Sequence, residues 1–414
     1  MLALLREHRR AWQVVGLLWV AFFLAYIARQ SVFSIFGVLR ADLGFTETQL
    51  GLTSTVFLWV YASMNLLAGQ IGDRFPKHQV VAASVALWAL AAALMGAAAS
   101  PAALLAGRAV LAVTQGVYAP TAVAYISQVH SAATRGSAIT AHGTAQYLGV
   151  IVGGWYGGYL AEAWSWRWMF WLVALATFAY AGVLYALLRR NPAAAAAGSP
   201  GASARASSLW PILQTPSYLT ITLAFIAVNA MLWIVYTWLP DILQTKYALS
   251  AAAAGFNATA YVQIAMIGGL VAGAPLGDWL TPRWPRARLW LMAAGLLVSS
   301  PCVYGIVAAD TLAEMRLAAL GYGFFKGVFS GNVWAALLAV VPPDRRAFGV
   351  GFTNALGGMV GGVASYLVGY FRGHYAVETM LGAAGVLGWV SMLVIGYAIR
   401  RTYVADCARV LPRG

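Results

Sequence analysis

Twelve apolar stretches, each long enough to cross a bilayer, follow one another along this chain. A spanning helix needs about 20 mainly apolar residues. Such stretches lie at about 12–36, 47–69, 79–99, 102–128, 137–160, 167–188, 217–239, 252–274, 288–308, 314–340, 349–371 and 378–399. The expected fold class is an all-α membrane protein with twelve transmembrane helices. Pro120 interrupts the long fourth stretch, where a tilt or kink is expected. Residues 189–215 form the longest internal break. They run Arg189-Arg190-Asn-Pro, an alanine tract, then Gly-Ser-Pro-Gly-Ala-Ser, and read as a flexible cytoplasmic linker. The expected division is an N-terminal six-helix bundle, 1–188, the linker, 189–215, and a C-terminal six-helix bundle, 216–414.

Composition agrees. Charged residues make up 9% of the chain and apolar ones 61%, where a soluble domain carries about 25% charged. The net charge of +14 would suggest nucleic acid as a partner for a soluble chain. Its distribution says otherwise. With the N-terminus in the cytoplasm, 18 of the 26 Lys and Arg fall on cytoplasmic segments, 5 on the opposite side and 3 inside spans. That asymmetry is the one that sets membrane topology. Both termini are therefore expected inside, in a bacterial inner membrane, with the lipid bilayer as partner and no nucleic acid. The basic start, Arg6 to Arg10, leads into a spanning stretch, so a retained first helix is expected. Cys302 and Cys407 make no disulfide framework, and the five histidines show no ligand spacing. No metal, cofactor or catalytic constellation is expected, and the chain reads as no enzyme.

The halves resemble each other. Gly69-Gln-Ile-Gly-Asp73-Arg74 ends span 2, and Gly273-Ala-Pro-Leu-Gly277-Asp278 ends span 8. Span 5 carries Gly149, Gly153, Gly154, Gly157 and Gly158; span 11 carries Gly357, Gly358, Gly361, Gly362 and Gly369. Paired six-helix halves are the build of many secondary transporters. The loop Gly69-Gln-Ile-Gly-Asp73-Arg74-Phe-Pro76-Lys77-His78 is similar to the Gly-x-x-x-Asp-Arg-x-Gly-Arg-Arg signature of the major facilitator superfamily, with Pro76 at a glycine position. The chain resembles that superfamily over nearly its whole length. The resemblance implies two pseudo-symmetric bundles, and a cytoplasmic latch made by Asp73 and Arg74, with Asp278 at the matching place. Tyr26-Ile-Ala28-Arg29-Gln30 and the Arg108 to Gln115 spacing resemble the spinster-like and organic-anion symporter branches. Those branches carry carboxylates where this chain has Ala28 and Gln115, which argues against standard proton symport.

The charges inside the spans point to a substrate. All twelve acidic residues fall in tails, loops or span ends, whereas Arg29, Arg108 and Lys326 lie within spans 1, 4 and 10. A mid-bilayer cation costs at least about 2.5–3.5 kcal/mol to insert and normally meets a partner. Arg29 and Lys326 are therefore expected to bind a small organic anion: a carboxylate, sugar acid or phosphate ester. The planar fork of arginine suits carboxylate and phosphate. Arg29 has a bland alternative, bonding backbone carbonyls. Arg108 is expected in gating or helix packing, with a substrate-linked role as the alternative, and Gln115, two turns on, is a candidate cavity-lining substrate contact, with an interhelical hydrogen bond as its alternative. His142, in span 5, is a candidate for proton handling. Tyr26, Tyr118, Gln146, Tyr147, Asn229, Trp233, Tyr236, Asn257, Tyr261, Asn332 and Asn354 are candidate lining residues, each equally suited to helix packing. The expected activity is secondary active or facilitative transport by a monomer, by symport or antiport, with protons or a counter-anion as further partners. The alternative is export of lipophilic compounds or lysolipids.

Overall fold

The computed structural model describes residues 2–190 and 210–410, without the side chains of a few of them, Asp73 included. Most of the expected linker lies outside the described residues. Twelve long helices carry the fold. They are α1 (Leu2–Gln30), α2 (Glu47–Arg74), α3 (Lys77–Gly96), α4 (Pro101–Val129), α5 (Ala132–Ala163) and α6 (Trp166–Leu188), then α7 (Pro216–Tyr247), α8 (Ala251–Leu280), α9 (Ala287–Ala308), α10 (Leu312–Leu338), α11 (Arg346–Phe371) and α12 (Val377–Arg401). Among the described residues nine helices are both long and apolar enough to cross a membrane. The other three, α2, α5 and α10, have 28, 32 and 27 residues. At about 1.5 Å per residue each exceeds a hydrocarbon core of about 30 Å.

Local chemistry sets the ends. Thr46 and Gln49 form a reciprocal capping box at the start of α2, and Thr311 and Glu314 do the same for α10. Ser100 caps α4, with Pro101 at its first position. Pro120 sits inside α4, where its ring removes a backbone donor and crowds the carbonyl four residues back. α1 does not stop at its apolar limit. It tightens into a buried 3₁₀ turn, Ser31–Ile35, and resumes as a short helix, Phe36–Leu43. Several helices outrun their apolar stretches: α7 continues to Tyr247 and α5 begins at Ala132. Backbone hydrogen bonding carries a helix past the hydrocarbon edge, whereas hydropathy records only the part inside it.

The chain divides into two compact units. Among described residues the first holds 2–49, 56–190 and 248–256; the second holds 50–55, 210–247 and 257–410. Glycine seams join helices within each. In the first unit α5 lies on α1. A Cβ at Gly149 would sit 2.6 Å from Tyr26 Cβ, and one at Gly153 would sit 2.9 Å from the Ile27 carbonyl. In the second unit α8 and α10 meet glycine on glycine. Gly269, Gly273 and Gly277 on α8 face α10, while Gly323, Gly327 and Gly331 on α10 face α8. A Cβ on Gly269 would overlap the Phe324 carbonyl oxygen, and one on Gly327 would overlap that of Met266. Small residues at such spacing let backbones approach closely where lipid supplies no hydrophobic drive.

Candidate functional site

Arg29 lies in the last turn of α1 and is 5% exposed. Its guanidinium carbon lies 4.3 Å from the Phe57 ring centroid and 5.2 Å from those of Tyr26 and Tyr61. Three electron-rich faces thus surround one cation, each contributing roughly 0.5–2 kcal/mol depending on desolvation. Arg108 of α4 is fully buried beside it, 4.9 Å from the same Phe57 ring and 5.4 Å from Phe33. Its Nη1 donates to the Arg29 carbonyl oxygen at 3.0 Å. Gln115, two turns further on, donates from Nε2 to the Ala25 carbonyl at 3.2 Å. Arg108 and Gln115 therefore tie α4 to α1.

Other expected residues lie in the same unit. The Tyr26 hydroxyl donates to Gln146 Oε1 at 3.1 Å. Tyr147 next to it is half-buried. The Tyr118 hydroxyl donates to the Leu18 carbonyl at 2.7 Å. His142 is 3% exposed and stacks on Phe22, centroids 4.6 Å apart. Among the described residues its Nε2 meets no hydrogen-bond partner. α5 begins earlier than the apolar stretch, so His142 lies three turns inside the helix, deeper than the sequence suggests.

In the second unit Lys326 of α10 is 6% exposed. Among the described residues the one polar contact of its ammonium is the Met266 thioether, Sδ at 3.0 Å. A thioether is a weak acceptor. One turn earlier on α10, Tyr322 is buried, and its hydroxyl has no partner among the described residues. On α8, three residues before Met266, Gln263 donates to the Tyr236 hydroxyl at 2.8 Å and leaves its own Oε1 unsatisfied. Gln263, Met266 and Tyr322 escape a sequence reading, as do Phe57 and Tyr61. A lone glutamine in the apolar run of span 8 was the one available signal. The aromatic residues are indistinguishable from ordinary packing until the cation is seen on them.

Other expected lining residues lie in the second unit, most of them with partners on their own or neighbouring helices. Asn257 accepts from Arg316 Nε at 2.8 Å, and the Arg316 guanidinium lies 5.3 Å from the Tyr261 ring. Asn332 donates to the Gly273 carbonyl at 2.9 Å across the α8–α10 seam. Asn229 bonds back to the Phe225 carbonyl of its own helix at 3.0 Å. Trp233 packs edge-on against Tyr236, and Asn354 is exposed. Asp241, read from the sequence as a span-end residue, lies within α7. It is 2% exposed and paired with Arg372 at 2.5 Å.

A model of the Major Facilitator Superfamily matches residues 18–366. The chain belongs to this superfamily. An "MFS-type efflux pump" of Mycolicibacterium smegmatis is 27% identical over 94% of this chain and 91% of its own length. A "probable sulfoacetate transporter SauU" of Cupriavidus necator is 26% identical, covering 90% of each chain. A solved bacterial homolog to the human lysosomal transporter spinster superposes with a TM-score of 0.78 at 17% identity, covering 97% of this chain and 98% of that one. The fold is thus that of a Major Facilitator Superfamily transporter, with no enzymatic role. Arg74 is exposed. Asp278 closes an ion pair with Arg288, whose Nη1 also reaches Asn332 Oδ1 at 3.4 Å.

Proposed function

We propose that this superfamily member moves a small organic anion, a carboxylate, sugar acid or phosphate ester, by alternating access, with Arg29 and Lys326 as the cations that bind it. Lys326 carries the reading. A lysine inside a spanning helix, beside a thioether, needs an anion for its charge, and the cargo can supply one. The "sulfoacetate" in one relative's printed name supports the same class. The lack of carboxylates at positions 28 and 115 favours exchange or facilitation, or a proton carried by the substrate or by Lys326, and His142 is proposed as a further proton-handling group. Tyr26 and Tyr147 are proposed as neutral substrate contacts, with Arg108 and Gln115 holding α1 in register. Asp73, Arg74 and Asp278 are proposed as latch residues. The Lys and Arg distribution supports both termini in the cytoplasm; a monomer in a bacterial inner membrane is proposed with it.

The test is a thermal-shift panel on the purified protein with carboxylates, sugar acids, phosphate esters, lysolipids and neutral sugars. One anion class should raise Tm, and Arg29→Ala or Lys326→Ala should abolish the shift. A response to lysolipids alone, unchanged in both variants, would support the second reading, export of lipophilic compounds. The efflux-pump relative and the aromatic surround of Arg29 favour that alternative.

A further inference from the structure

One end of α1 and the last turns of α6 form a groove of about 610 Å³, inside the first unit and apart from Arg29. Its chemistry is graded. Arg10 and Arg190 line the mouth with Gln13, and Leu17, Val20 and Leu187 line the remainder. Arg10 sits at the start of the span that begins at Arg9, and Arg190 lies two residues past the end of α6. Both therefore belong at the polar edge of the hydrocarbon. Leu17 and Val20 lie about 10–15 Å deeper along α1, by helical rise. The Tyr180 hydroxyl, which would otherwise make the wall polar, donates to the Leu17 carbonyl at 2.7 Å. Among the described residues no acidic side chain lines the groove.

We propose that this groove binds one anionic phospholipid, its phosphate on Arg10 and Arg190 and an acyl chain along Leu17, Val20 and Leu187. Two cations select a negative headgroup, and anionic lipid is drawn to basic residues at this depth. A neutral lipid would leave the arginines without a counter-charge. A small soluble anion would leave the apolar wall bare. The apolar floor and the cationic mouth together specify an amphiphile.

The experiment is lipid titration of the full chain in a neutral detergent, read by native mass spectrometry and by Tm, with phosphatidylglycerol, phosphatidylcholine and glycerol phosphate as probes. Phosphatidylglycerol should be retained and raise Tm, and the other two should not. Arg10→Gln with Arg190→Gln should weaken phosphatidylglycerol binding about 10- to 30-fold, at roughly threefold to fivefold per arginine. Val20→Trp should weaken it by filling the floor while leaving the cations in place. Equal retention of phosphatidylcholine, an equal shift by glycerol phosphate, or undiminished phosphatidylglycerol binding in the double variant would each overturn the proposal. The readout involves no transport, so it stands or falls separately from the cargo and from Lys326.

Discussion

Arg29 and Lys326 are both buried cations on spanning helices, but their surroundings solve the same problem differently. Arg29 lies among three aromatic rings, with Arg108 fixed to its carbonyl. The planar guanidinium can spread its charge over such faces. Lys326 holds a compact ammonium against one thioether, on a helix pressed by glycines against its neighbour. The first environment stabilises a cation before any ligand arrives. The second leaves more of the charge to be met by something else. The difference teaches that equal burial does not mean equal demand for a counter-ion.

The largest expected effect tests the seam beneath Lys326. Gly327→Leu should give no folded protein by size-exclusion chromatography, because the new side chain would strike the backbone of α8; overpacking of a well-packed site typically costs about 1–3 kcal/mol and more against backbone. Gly182→Ala should be neutral, since a Cβ there meets nothing within 4 Å. Next in size, Lys326→Met should lower anion uptake into liposomes by about 100-fold or more, while the unliganded Tm holds or rises because a costly buried charge is gone. Lower Tm with normal uptake would instead make Lys326 structural. Arg29→Ala should reduce uptake by about 10- to 100-fold, and Arg29→Lys should recover little of it, as lysine cannot stack its charge on the rings. Full activity in Arg29→Lys would erase the contrast between the two cations. Tyr26→Phe removes the bond to Gln146 and should cost about 0.5–1.5 kcal/mol of stability with modest loss of uptake. Asp278→Asn, at an exposed ion pair, should change stability by less than about 1 kcal/mol.

The helices were legible in the sequence because apolar runs of spanning length mark them in one dimension, whereas the caps at Thr46, Ser100 and Thr311 emerge only with the structure. Hydropathy cannot see helix beyond the hydrocarbon, which is why α7 includes Asp241 and α5 starts more than a turn before its apolar stretch. The two cations were legible because charge inside an apolar run is rare. Their surroundings were not. Phe57 and Tyr61 lie on another helix, and nothing in their spacing names Arg29 as their neighbour. Asn257 and Tyr261 were read as lining residues, yet Arg316, near the start of α10, engages both. The glycines of α5 stood out by density. The α8–α10 seam needs two strings of glycines, 54 residues apart, to be recognised as facing each other.

The 3₁₀ turn at Ser31–Ile35 begins two residues after Arg29. A residue in 3₁₀ winding advances about 120° and 2.0 Å, against about 100° and 1.5 Å in an α-helix. Across five residues the surplus comes to about 100° of rotation and about 2.5 Å of length. The Ser34 hydroxyl holds this segment to the Gly154 carbonyl at 2.6 Å. Rewinding these residues as α-helix would swing Arg29 about a quarter turn relative to Phe36–Leu43 without moving either helix sideways. The angular bearing of the first cation is thus stored in the winding of five residues beyond it.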